Sequence, residues 1–90
     1  MSASSESRRS VRLPADVDLH ARPAGLLVRA ASGYDASVTL HACGKRADAK
    51  SILQVLSLGA TGGSQIEIET SGSEASAALE AVAGLLETLA

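Results

Sequence analysis

The side chains richest in chemistry stand together in Leu19-His20-Ala21-Arg22-Pro23-Ala24, where an imidazole and a guanidinium lie two residues apart at what reads as a helix start. Pro is tolerated in a first helical turn, and the apolar spacing of Ala24 to Ala31 carries the helix onward from near His20. Backbone N–H groups at such an end lack intrahelical partners, and the macrodipole adds partial positive charge, so an anion is stabilised there. An imidazole is largely a free nucleophile near neutral pH. His20 is therefore a candidate acceptor of a phosphoryl group. Arg22, permanently charged and forked to match phosphate oxygens, would neutralise the product. Taken alone, a His-x-Arg pair is more often an exposed histidine beside an exposed charge.

Ser51-Ile52-Leu53-Gln54 fits a capping box, in which the hydroxyl bonds an early backbone N–H and the Gln amide reaches back. Ile52, Leu53 and Leu56 read as core by default. Their helix is too short to bury them all, so some are expected to face a partner. His41 falls on the polar register of a strand, as a solvated side chain with no second ligand at metal spacing, and no metal site is predicted. Gly59-Ala60-Thr61-Gly62-Gly63 lacks the Lys-Ser/Thr ending of a phosphate-cradling loop and reads as a turn. A hydrolytic triad of Ser51, His20 and Asp16 can be written down, but no nucleophile elbow supports it.

The elements that must hold these groups belong to one small domain of 90 residues with an aliphatic core, since Tyr34 is the single aromatic among 46% hydrophobic residues. So short a chain leaves little material for a deep pocket, which favours a surface site and no cofactor. A net charge of −2 without a basic stripe or stacking aromatics sets nucleic acid aside. The single cysteine, Cys43, and the absence of a long apolar segment predict a cytoplasmic protein with no membrane insertion. Residues 1–8, in a Ser-rich start that extends to Ser10, read as a disordered tail before a domain spanning 9–90. Alternation predicts strands over Val11–Val17, Ala36–His41 and Gln65–Thr70, with a turn at Cys43-Gly44 into a short strand at Lys45–Ala47. Helices follow His20, span Ser51–Leu58 and run from Ala75 to Leu89, the first two ended by Gly33 and Gly59. The order βαββαβα predicts an α+β fold, a four-stranded antiparallel sheet with three helices on one face.

With these residues in view, the chain resembles the HPr family, the histidine-containing phosphocarriers of the bacterial sugar phosphotransferase system. The likeness runs from about Arg9 to the C-terminus. Leu19-His20-Ala21-Arg22-Pro23-Ala24 resembles the family's phosphorylation motif, and Gly44-Lys45, Ala49-Lys50-Ser51-Ile52-Leu53, Leu56 and Leu58-Gly59-Ala60 form a second segment at matching separation. The pairing of the two motifs favours the chemical reading of His20 and Arg22. The resemblance implies an open-faced β-sandwich that takes phosphate from enzyme I onto a ring nitrogen of His20 and passes it to IIA domains of sugar permeases. It implies a carrier dependent on partner enzymes and acting as a monomer. It also implies a regulatory phosphorylation site at Ser51 where a serine kinase exists, and a docking face at Ile52, Leu53 and Leu56. A nitrogen-regulatory carrier of the same family and a small-metabolite-binding α+β module are the alternatives. Two positions depart from the family pattern. Asp18 stands where glycine is usual and Val17 where a small polar residue is common, and the Asp18 carboxylate could repel an incoming phosphate.

Overall fold

Alternating apolar and polar residues need a half-buried sheet, and one helical layer supplies the cover. The computed structural model describes residues 6–89. Its elements are β1 (Glu6–Arg12), α1 (Ala21–Ser32), β2 (Ser37–Ala42), β3 (Lys45–Asp48), α2 (Ile52–Ser57), β4 (Gln65–Ser71) and α3 (Ala75–Thr88). The strands form one antiparallel sheet in the order β1-β4-β2-β3. This is the predicted βαββαβα arrangement.

Register decides what each strand buries. Ile66, Ile68 and Thr70 of β4 face the helices beside Val11 of β1 and Val38 and Leu40 of β2. Leu27 and Ala31 of α1 and Leu79, Val82 and Leu86 of α3 close over them. Thr70 is the one buried polar side chain among the described residues, and its hydroxyl donates to the Ala75 carbonyl at 2.8 Å, so it carries no desolvation penalty. Cys43 and Gly44 both adopt positive φ, 55° and 73°, as a two-residue turn between β2 and β3 requires.

The first strand corrects the sequence reading. Glu6 to Ser10 belong to β1 rather than to a disordered tail, and the chain leaves the sheet after Arg12 instead of continuing to Val17. The remainder of the predicted tail, residues 1–5, lies outside the described residues. Only Val11 of β1 is buried, so apolar periodicity gives no sign of the strand. Long-range contacts hold it: Arg8 stands opposite Glu69 and donates to it at 3.1 Å, and Arg9 pairs with Glu80 on α3. Pro14 lacks an N–H for the ladder, and Val17 N–H turns back onto the Pro14 carbonyl at 3.1 Å.

Candidate functional site

Leu13, Val17 and Leu19 remain buried after the chain leaves β1, while its backbone bonds the loop that precedes β4. Leu13 N–H donates to Ser64 O at 3.0 Å, Gly63 N–H to Leu13 O at 3.1 Å and Leu19 N–H to Ala60 O at 3.0 Å. A Cβ on Gly62 would lie 2.0 Å from the Ala15 carbonyl oxygen, so only glycine permits this approach. The Gly59–Gly63 segment is therefore more than the turn read from sequence. It is the support on which the histidine-bearing segment rests.

That support delivers His20 to the N-cap of α1 in extended conformation, φ −84° and ψ −166°, with its carbonyl accepting from Ala24 N–H at 2.8 Å. The helix makes no side-chain cap there and has no acidic residue in its first turn, so its positive end keeps its charge. Pro23 lies within that first turn as expected, and Arg22 is exposed two residues beyond the imidazole. The His20 side chain is 81% exposed. Asp18 uses one carboxylate oxygen, Oδ1, to accept from Gly62 N–H at 2.8 Å, and places Oδ2 3.4 Å from His20 Nε2. Sequence reasoning noted its charge but had no means of finding these contacts.

Ser51 caps α2, its hydroxyl accepting from Gln54 N–H at 3.3 Å. The reciprocal half of the capping box is absent: Gln54 Oε1 accepts from Asp48 N–H at 2.9 Å, and Ser51 N–H donates to Asp48 O at 3.0 Å. Val55 alone of the α2 residues is buried. Ile52, Leu53 and Leu56 are exposed, Leu53 to 75%. Leu26 on α1, which packs against α2, is a further exposed apolar residue that the sequence reading assigned no role.

His41 lies on the outer sheet face as expected, yet it is half-buried and its Nε2 lies 3.0 Å from Glu69 Oε1. The hydrogen bond from His41, followed by the charge of Arg8, holds the Glu69 carboxyl below the usual carboxylate range. A carboxyl depressed in the folded state stabilises the fold above its unfolded pKa, and that contribution is lost as pH falls through the folded value. In His41→Ala, carboxyl carbon NMR should show Glu69 titrating closer to the ordinary range, and an unchanged titration would assign the whole effect to Arg8. Among the described residues no cluster of His, Cys, Asp and Glu could hold a metal, and no helix is long and apolar enough to cross a membrane.

An exposed imidazole at the positive end of α1, in a fold that also turns apolar side chains of α2 to solvent, is a surface site able to hold a transferred group. A family model described as the PTS HPr component phosphorylation site matches residues 7–88, and the chain belongs to this family of phosphocarriers of the phosphotransferase system. It is 35% identical over 81 residues to the phosphocarrier protein HPr of Vibrio cholerae, covering 90% of this chain and 95% of that one. The fold is similar to the crystal structure of HPr from Bacillus anthracis, with a TM-score of 0.86 and 38% identity over 91% of this chain and 98% of that one. It is also similar to the solution structure of Crh, the Bacillus subtilis catabolite repression HPr, with a TM-score of 0.71 and 30% identity over 93% and 100% of the two chains.

Proposed function

We propose that His20 accepts a phosphoryl group from enzyme I and passes it to IIA domains of sugar permeases, with Arg22 as the electrostatic clamp. The observation that carries this reading is the exposed His20 ring at the uncapped start of α1, in a chain whose family model is named for a phosphorylation site. Partner enzymes supply the remaining catalytic groups, and the carrier works as a monomer in the cytoplasm. Incubation with phosphoenolpyruvate and enzyme I should place one acid-labile phosphate on the chain, and a sugar-specific IIA domain should remove it. A chain that stays unmodified in the presence of active enzyme I would defeat the proposal.

Arg22 presents a planar fork to phosphate oxygens, which lysine cannot. Arg22→Lys should keep the fold and slow transfer about tenfold, or about 1.4 kcal/mol of transition-state stabilisation. Stopped-flow transfer rates check this, and wild-type rates in both Arg22→Lys and Arg22→Ala would remove Arg22 from the mechanism.

Ile52, Leu53, Leu56 and Leu26 form the docking face, and a serine kinase acting on Ser51 is a further partner in this reading. Phosphate at the α2 cap would set nearly two negative charges beside that face. Ser51→Asp should fold normally yet accept phosphate from enzyme I several-fold more slowly. Ser51→Ala should lose about 1 kcal/mol of stability with the cap and transfer near the wild-type rate. Melting curves and transfer rates of the pair separate the capping role from the docking one.

A further inference from the structure

We propose that Asp18 is a positioning residue for the phosphoryl acceptor: its carboxylate keeps the His20 proton on Nε2, leaving the lone pair on Nδ1. The proposal rests on the reading of His20 as acceptor. The two oxygens of Asp18 do different work. Oδ1 accepts from Gly62 N–H at 2.8 Å, which fixes the carboxylate against the supporting loop, and Oδ2 then lies 3.4 Å from His20 Nε2. The backbone reinforces the pairing, because His20 N–H donates to the Asp18 carbonyl at 2.8 Å.

An ionised carboxylate only accepts hydrogen bonds, so the ring nitrogen facing it is the one that carries hydrogen. In a neutral imidazole the other nitrogen is then bare and nucleophilic. During transfer the Nδ1 lone pair forms the new N–P bond as the bond from phosphorus to the donor's leaving group breaks, and the leaving group keeps that electron pair. Nε2 keeps its proton throughout. The ring therefore becomes cationic, with the Asp18 carboxylate facing its N–H, while the phosphoryl oxygens are left to Arg22 and the start of α1. The carboxylate that could repel phosphate stands on the Nε2 side of the ring.

Asp18→Asn distinguishes positioning from simple anchoring. Its Oδ1 can still accept from Gly62 N–H, but an amide NH2 replaces the oxygen that faces Nε2, and an amide donor there favours the wrong tautomer. Ring nitrogen NMR of the full chain at pH 9, where an imidazole is neutral, reads the tautomer without any donor protein. The wild type should hold its proton on Nε2, Asp18→Asn should shift population to Nδ1–H, and Asp18→Gly should fall between. Phosphoryl acceptance should slow about three- to fivefold in Asp18→Asn, the worth of a charge contact at an exposed site, with an unchanged melting temperature. A wild-type tautomer in Asp18→Asn, or a shifted tautomer with a wild-type rate, overturns the proposal. Full phosphorylation of a His20→Ala chain would instead overturn the acceptor reading, a separate failure that the nitrogen spectra do not share.

Discussion

His20→Ala should abolish phosphoryl acceptance while leaving far-ultraviolet circular dichroism unchanged and the melting temperature within about 2 °C of wild type. The two halves of this expectation have different physical origins. Acceptance requires a nitrogen lone pair at the end of α1, and alanine offers none. Stability is barely touched because the imidazole is 81% exposed, makes no cap hydrogen bond to α1, and lies beside the half-exposed Asp18 carboxylate. Incorporation of acid-labile phosphate from phosphoenolpyruvate and enzyme I measures the first half, and thermal melting the second. A variant phosphorylated to full stoichiometry would move the acceptor elsewhere, whereas a large drop in melting temperature would show that the ring is part of the fold's support.

Gly62→Ala should be the most damaging single-methyl change in the site's support. The added Cβ would sit 2.0 Å from the Ala15 carbonyl oxygen and 3.2 Å from that of Pro14, and a backbone carbonyl cannot swing aside as a side chain can. The loop must separate from the 13–19 segment, which strains the Gly62 N–H bond to Asp18 and the Leu19 N–H bond to Ala60. Overpacking of this kind costs about 2–3 kcal/mol, or about 10–20 °C of melting temperature in a domain of this size. Transfer should also slow several-fold, since the same bonds set the position of His20. Gly84→Ala is the matched control: its Cβ would meet nothing within 4 Å on α3, and replacing a helical glycine should stabilise by about 0.5–1 kcal/mol. Equal melting temperatures for Gly62→Ala and wild type would mean that the 14–18 segment yields easily and that the close approach is not a constraint.

The helix start at His20, the outward apolar residues of α2 and the four-strand order of elements were all legible in the sequence, because each is written in neighbouring residues. A Pro in the first turn, a serine before a short apolar run and the alternation of Gln65 to Thr70 act over a few positions, the range in which backbone geometry repeats. The same local logic failed for β1. Its Arg8 finds Glu69 sixty-one positions away, and six of its seven side chains remain outside the core, so the strand has no apolar period to announce it. The capping box failed in part for a related reason: the Gln54 amide had a second acceptor-seeking N–H, that of Asp48, which becomes its neighbour only once β3 is in place.

The chain's own order of residues thus determined the helix that starts at His20, the placing of an imidazole and a guanidinium two residues apart at that start, and the excess of apolar side chains on α2. Tertiary structure alone decided that β1 joins β4, that Leu26 of α1 stays exposed, and that Gly62 closes on Ala15 and fixes Asp18 at the edge of the His20 ring. The physical reason is range: propensity and periodicity act between near neighbours, whereas a carboxylate chooses its hydrogen-bond donor from whatever residue the closed chain brings within 3 Å.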